Sequence, residues 1–147
     1  MLKFGSGNND RMHSGDITTT DPVVGDISSL VDTNCLSYQL ITTDGDGVQG
    51  GGAAGGIQGT WKVEASNSTS TAGDQAEGAL WDEGVWRDIT GEFSPAIGAA
   101  DGTGQEWMLV IQGCPWRLIR LTFTPTSGTG AGQRVYAYAV AKTYGGN

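Results

Sequence analysis

Side chains that could act as a catalytic base or nucleophile are few in this chain of 147 residues. It contains one histidine, His13, and two cysteines, Cys35 and Cys114. A catalytic imidazole needs a rigid partner that orients it, and a nucleophilic cysteine needs a histidine nearby. His13 lies in a polar N-terminal segment that offers no such partner. We therefore predict that the chain has no catalytic residues and is not an enzyme.

The two cysteines leave a choice between a disulfide and two buried thiols. In immunoglobulin domains a tyrosine lies two residues before the second cysteine, and here that position is Gln112. The N-terminus lacks the apolar core of a signal peptide, which predicts folding in the cytoplasm and disfavours a disulfide. We interpret Cys35 and Cys114 as small core residues, with a disulfide as the alternative.

A metal site has weak support. Zinc needs several cysteine or histidine ligands, and the chain has neither a CxxC pair nor a second histidine. The Asp-Gly-Asp-Gly segment at 44–47 is similar to the start of a calcium loop, but the twelfth position, which requires glutamate, is Gly55. A solvated turn is favoured over a loose calcium site at Asp44 and Asp46. No metal or cofactor is expected.

The run 50–56 contains only glycine and alanine. Loops that cradle phosphate lead into a helix N-terminus and usually carry a lysine, whereas this run leads into a strand and has no lysine. Nucleotide binding is therefore excluded. Because the run has almost no side chain to bury, it is predicted to be a mobile loop or a place where another backbone segment packs closely.

Asp82 and Glu83 lie between Trp81 and Trp86. Paired carboxylates beside aromatic side chains occur in glycosidase clefts, but they also fit the tip of a surface hairpin, which we favour. Exposed aromatic side chains near such a tip could still stack on sugar rings. The candidate residues for an interface or for glycan stacking are Trp81, Trp86 and Trp116.

The composition limits both the fold and the partners. Glycine supplies 25 residues and charged residues only 16%, which argues against a helical bundle because glycine weakens a helix interior by about 1 kcal/mol per site. The net charge of −8 and the scattered basic residues disfavour direct contact with nucleic acid or an anionic membrane surface. No apolar stretch is long enough to span a bilayer. The length fits one domain.

Short β-rich runs alternate with turn clusters from residue 27 onward, with the strongest at 35–43, 57–66, 106–112, 117–124 and 134–144. In 57–66 the buried face is predicted to carry Trp61, Val63 and Ala65, and the polar face Thr60, Lys62 and Glu64. The run 117–124 alternates in the same way, with Ile119, Leu121 and Phe123 on one face and Leu118, Arg120, Thr122 and Thr124 on the other. The last strand is predicted to pair with 117–124 as a hairpin, with Tyr136, Tyr138 and Val140 on a covered second face. The pattern predicts an all-β, antiparallel, jelly-roll-like sandwich of about seven to eight strands.

The N-terminal residues 1–26 are predicted to lie outside this sandwich. They are rich in Gly, Ser, Asn, Asp and Thr and have few large apolar side chains. Two interpretations remain open, a frayed terminus and an extended arm that becomes ordered on a neighbouring subunit. The predicted division is therefore an arm at 1–26 and a β-sandwich domain at 27–147.

Three segments carry a resemblance to a known group of proteins. They are the strand at 59–67 (GTWKVEASN), the segment at 81–90 (WDEGVWRDIT), and the strand at 116–124 with the following Ser-Gly-Thr-Gly turn. Their order resembles the small β-sandwich proteins of tailed-phage virions, which decorate or cement the capsid or form head fibres. It is also similar to discoidin-like galactose-binding jelly rolls.

The virion resemblance implies a non-enzymatic capsid decoration or cement protein, found in the virion after folding in the host cytoplasm. Its partner would be the major capsid protein or another virion protein, and it would form a homo-oligomer, with a trimer favoured. The second resemblance implies an alternative, a carbohydrate- or host-receptor-binding module that uses Trp81, Trp86 or Trp116. No ligand-binding residue is carried over from either family.

Overall fold

The computed structural model describes residues 10–25, 28–29, 35–66, 86–93, 96–112, 116 and 118–142. These residues form two antiparallel sheets. Sheet A has the order β1-β10-β4-β8, from strands β1 (Asp10–His13), β4 (Cys35–Thr42), β8 (Glu106–Gln112) and β10 (Val135–Lys142). Sheet B contains the strands β2 (Val23–Val24), β3 (Ser28–Ser29), β5 (Gln58–Ser66), β6 (Arg87–Asp88), β7 (Ala100–Asp101) and β9 (Leu118–Ser127). Its order is β2-β9-β5-β6. In addition, β3 pairs with β9 and β7 pairs with β5.

The chain crosses repeatedly from one sheet to the other. β1, β4, β8 and β10 belong to sheet A, and the strands that follow β1, β4 and β8 belong to sheet B. Alternation of this kind between two packed four-stranded layers is the topology of a jelly roll, with the short β3 and β7 as additions. The predicted all-β, antiparallel sandwich is confirmed. The described helical structure is one 3₁₀ turn, Thr90–Glu92.

The prediction of a separate arm at 1–26 is wrong for residues 10–25. β1 pairs with β10, with Asp10 opposite Ala139, and β2 pairs with β9. Between them Ile17 is buried in the core, and its amide N–H donates to the carbonyl of Gln133 at 2.7 Å. The apolar side chains here are few, but backbone pairing needs none, which is why composition misplaced the boundary. Residues 1–9 lie outside the described residues.

The core lies between β5 and β9 of sheet B and the inner face of sheet A. On β9, Ile119, Leu121 and Phe123 are fully buried, as the alternation predicts. Trp61 packs against Phe123 with ring centroids 4.9 Å apart. Glu64, predicted on the polar face, does point away from the core but is buried, because neighbouring side chains cover that part of sheet B.

The predicted hairpin between the last two strands is wrong. β9 pairs with β5, and β10 pairs with β1 and β4 in the other sheet. The turn at Gly128–Gly132 therefore carries the chain across the sandwich instead of folding it back. Local turn residues predict that the chain reverses, but they do not determine which sheet receives the next strand.

The glycine-rich loop that follows β4 is organised by Asp44, which is buried. Its Oδ1 accepts the amide N–H groups of Asp46 and Val48, both at 2.9 Å, and its Oδ2 accepts that of Ala53 at 3.0 Å. A Cβ on Gly51 would overlap this carboxylate. A Cβ on Gly56 would overlap the backbone of Thr43 and Asp44. Of the two interpretations of the run 50–56, the close packing of another backbone segment is therefore the one that the structure confirms.

Gln133 joins this loop to the sandwich. Its Oε1 accepts the Thr43 hydroxyl at 3.0 Å and the Ile57 amide N–H at 2.8 Å. Its Nε2 donates to the Asp44 carbonyl at 2.9 Å. Because the side chain is buried, these bonds satisfy groups that water does not reach. The loop is a rigid part of one end of the sandwich.

We expect acid to destabilise the protein. Amide N–H groups of Val48 and Ala53 hold the pKa of Asp44 below its ordinary value of 3.8. Thr90 lowers the pKa of Asp88 through its hydroxyl and amide, and Thr103 does the same for Asp101. A carboxyl group with a lowered folded-state pKa stabilises the fold fully above its unfolded-state pKa and loses that contribution as pH falls through the folded-state pKa.

The midpoint of urea unfolding should therefore stay constant from pH 7 to about 5 and fall once the pH drops below about 4. Asp44→Asn should lower the midpoint at neutral pH and make it less sensitive to acid, because residue 44 no longer titrates. A midpoint that rises or stays level between pH 4 and pH 2.5 would contradict this prediction.

Candidate interaction surface

The described residues include two of the three candidate tryptophans, Trp86 and Trp116. Trp86 is half-buried, and the guanidinium carbon of Arg120 lies 4.4 Å from its ring centroid. Trp116 packs against the hydrophobic core. Trp81 lies outside the described residues, as do Asp82 and Glu83. The structure therefore places Trp86 in a contact within the chain and Trp116 beside the core.

Arg120 also closes a network of charges on the outer side of sheet B. Its Nε donates to Oε1 of Glu64 at 2.9 Å, and the Nζ of Lys62 lies 3.3 Å from Oε2 of the same carboxylate. The Glu64 carboxylate is mostly shielded from water and both of its oxygens are engaged. This arrangement fixes the side chains of adjacent strands and holds Trp86 by a cation–π contact. Because the charged groups of this network pair with one another, we assign the network a structural role.

The remaining reactive groups of the sequence are dispersed. Cys35 is a free, half-buried thiol at the start of β4, and Cys114 lies outside the described residues. The backbone of His13 pairs with that of Tyr136 at the edge of sheet A. The carboxylate of Asp44, one of the two possible calcium ligands, accepts three backbone N–H groups. Within the described ranges, His, Cys, Asp and Glu form no group of three that could hold a metal ion.

The outer face of sheet A carries exposed apolar side chains, among them Met108 and Val110. The register aligns side chains of three strands, so that Gln39 lies between Tyr138 and Met108, and Ser37 between Val140 and Val110. These side chains alternate with the buried ones of the same strands and point away from the core. We call this surface the sheet A face; it consists of Ser37, Gln39, Met108, Val110, Tyr138 and Val140.

The sheet A face is apolar and shallow. Met108 is 56% exposed and Val110 48% exposed, which is unusual for large apolar side chains that sit side by side. A depression of about 210 Å³ lies between β4, β8 and β10, and it is lined by Ser37, Tyr38, Gln39, Met108, Tyr138 and Val140. This lining includes the polar residues Ser37 and Gln39 and two tyrosines, but no tryptophan.

The sheet A face has little charge. Its six defining side chains are neutral, while Arg11 lies on β1 opposite Tyr138 and Glu106 stands at the end of β8. The formal charge of the whole chain is −8, but Glu106 is the one acidic residue of β4, β8 and β10. A weakly charged apolar face can approach another protein surface without desolvating ions, which suits it to protein contact better than to small-molecule chemistry.

Two segments of the sequence indicate the apolar residues of this face, but the sequence does not show that the two segments lie side by side. Tyr136, Tyr138 and Val140 indicate an apolar second face on the last strand, and 106–112 is an almost continuous apolar run. Only the strand order, which places β4 between β10 and β8, shows that these signals belong to one surface. The prediction that the second face of the last strand is covered holds for Tyr136, which is 6% exposed. Tyr138 and Val140 are only partly buried.

No helix in the part of the chain that the structure describes is long and apolar enough to cross a membrane. Comparison of the sequence with protein-family models and with curated proteins finds no match.

Proposed function

We propose that this chain is a non-enzymatic structural protein of a virion, a decoration or cement protein of a bacteriophage capsid. The observation that carries the proposal is the sheet A face, a neutral apolar surface on an otherwise acidic protein. Exposed apolar surfaces with a polar surround mark contacts with other proteins. The scarcity of reactive side chains and the resemblance to phage virion proteins support the same role.

In this proposal the sheet A face docks on the major capsid protein or another virion protein after the chain has folded in the host cytoplasm. A capsid repeats each contact many times, so a modest docking area suffices for stable attachment through a homo-oligomer. The net charge of −8 keeps the free protein in solution before it reaches the shell. No cofactor or nucleic acid takes part.

The test uses phage particles made without this chain. We expect them to release DNA at a lower temperature and to be less resistant to osmotic shock than complete particles, and purified protein added back should restore both. Gln39→Lys, which places a charge at the centre of the sheet A face, should fail to restore them. Val24→Lys is the matched control, because Val24 is also exposed but lies on sheet B.

Particles of unchanged thermal and osmotic stability would contradict the cement role. Restoration by Gln39→Lys as complete as that by Val24→Lys would show that another surface docks. Binding to a glycan array, lost on Trp86→Ala, would instead favour the carbohydrate-binding alternative.

A further inference from the structure

The outer edge of β8 is an open strand edge. Sheet A ends at β8, and no described strand pairs with its second edge. β8 has seven residues, Glu-Trp-Met-Leu-Val-Ile-Gln, and pairs residue by residue with β4 without a bulge. It contains no proline or lysine. A long, regular, apolar edge of this kind is a template for pairing with another strand.

The other described sheet edges are protected. β1, at the opposite edge of sheet A, is only four residues long, Asp10–His13. The outer strands of sheet B, namely β2, β3, β6 and β7, are each two residues long. Short strands and charged side chains are the usual means of blocking edge pairing. β8, with seven residues, is the longest of the described edge strands, and its one charged residue, Glu106, stands at its end, so most of this edge lacks both kinds of protection.

The backbone groups that β8 offers can be identified. The N–H of Thr42 donates to the carbonyl of Gln105 at 2.9 Å, so Gln105 faces β4. In an antiparallel pair the direction of the backbone groups alternates along the strand. The N–H and C=O groups of Glu106, Met108, Val110 and Gln112 therefore point away from β4, toward the open edge.

We propose that β8 pairs with β8 of a second copy of this chain, antiparallel and about a twofold axis at Leu109. In that register all seven residues find a partner, with Met108 opposite Val110 and Trp107 opposite Ile111. The four residues with outward backbone groups pair with one another, which allows about eight backbone hydrogen bonds. The two four-stranded A sheets then become one continuous sheet of eight strands.

The charges of β8 fit a second copy of the same strand. Its one ionisable side chain, Glu106, meets the neutral amide of Gln112 in this register. The two Glu106 carboxylates stand at opposite ends of the paired strands, about 20 Å apart at 3.4 Å per residue, where salt screens their repulsion. Two chains of charge −8 therefore meet along an edge with little charge, where their mutual repulsion is smallest.

The side chains on both sides of the sheet also gain from this pairing. Trp107 and Ile111 lie on the inner side of β8, pack against the core, and are only half-buried. In the dimer, Trp107 of each copy would cover Ile111 of the other copy. On the outer side the two sheet A faces join into one surface with Met108 and Val110 at its centre, which doubles the docking area available to a shell.

The inference rests on the homo-oligomer part of the proposed function and is independent of its virion part. It specifies an isologous dimer in place of the trimer expected from the sequence, because a strand paired with itself about a twofold axis closes at two copies.

The test measures mass in solution by light scattering and sedimentation over a range of concentrations. The wild-type chain should have twice its mass of 15.3 kDa. Val110→Lys and Met108→Pro should each give folded monomers: lysine blocks edge pairing, and proline removes an outward N–H that β4 does not use. Val24→Lys, an equally exposed valine on sheet B, should remain dimeric. Circular dichroism and urea unfolding confirm that the variants are folded.

The register has its own test. Gln112→Glu places a carboxylate opposite Glu106 of the second copy at both ends of the pair and should raise the dimer dissociation constant about tenfold. Adding Glu106→Lys should restore the wild-type value, since opposite charges then face each other across the axis. Within one chain these two positions are too far apart to compensate.

A wild-type chain that stays at 15.3 kDa, grows into open polymers, or remains dimeric after both Val110→Lys and Met108→Pro would overturn the inference. So would capture of a foreign peptide strand by β8 in place of a second copy. A monomer that still stabilises phage particles would overturn the pairing and leave the proposed function standing. A dimer that leaves the stability of the particles unaffected would overturn the proposed function and leave the pairing standing.

Discussion

Replacing Trp61 with alanine is expected to lower the free energy of unfolding by about 3–5 kcal/mol, the usual cost of truncating a buried tryptophan. Trp61 is 4% exposed and lies near the middle of β5, in the centre of sheet B. Its ring packs against Phe123 on the neighbouring strand, and this strand pair, β5 with β9, runs almost the full length of both strands. Truncation would leave a cavity that the rigid strands cannot close.

A loss of that size approaches the whole stability of a typical domain, about 5–15 kcal/mol. Urea unfolding followed by circular dichroism would measure it, with Thr60→Ala as the matched control on the exposed side of the same strand. If the alanine variant is too unstable to purify, Trp61→Phe should give a measurable intermediate loss. A cost below about 1 kcal/mol for Trp61→Ala would mean that the core does not depend on this side chain.

Deletion of residues 1–25 is expected to prevent stable folding. It removes β1 and β2, so that the backbone groups of β10 and β9 lose their partners. It also removes Ile17, which is 5% exposed, and the hydrogen bond from Gly25 to the Leu121 carbonyl. Truncating Ile17 alone to alanine should cost about 2–5 kcal/mol.

The deletion should be read by circular dichroism and by the cooperativity of thermal unfolding. Ile17→Ala and Thr18→Ala form a matched pair of point variants, because the two residues are adjacent and only Ile17 is buried. We expect a clear loss of stability for the first and almost none for the second. A deleted chain that unfolds cooperatively at the wild-type temperature would show that residues 10–25 are dispensable for the sandwich.

These two predictions concern the core of the sandwich, whereas the proposed docking role concerns the outer face of sheet A. Trp61 and Ile17 face the core, and substitutions there act through folding. Gln39 and Val110 belong to the sheet A face, and substitutions there should change association while the urea unfolding midpoint stays near that of the wild type. Measuring stability and association on the same variants therefore separates a folding defect from a docking defect.

The strands themselves could be predicted because their signal is local. Alternation over 57–66 and 117–124 gave the buried faces of β5 and β9, and the predicted limits of 106–112 agree with β8. The short strands have too few residues for the alternation of apolar and polar side chains to be recognised. β1 and β2 were missed for the same reason, since their place depends on backbone pairing with β10 and β9.

What the sequence determined by itself was the all-β class, the main strands and the inward faces of β5 and β9, because all of these follow from side-chain periodicity within one segment. Only the tertiary structure decided that residues 10–25 complete the sheets, that β10 joins sheet A instead of pairing with β9, and that Met108, Val110, Tyr138 and Val140 share one exposed face. These facts depend on which distant strands become neighbours. Pairing of that kind is carried by backbone hydrogen bonds that every residue other than proline can make, so the residue types alone leave it open.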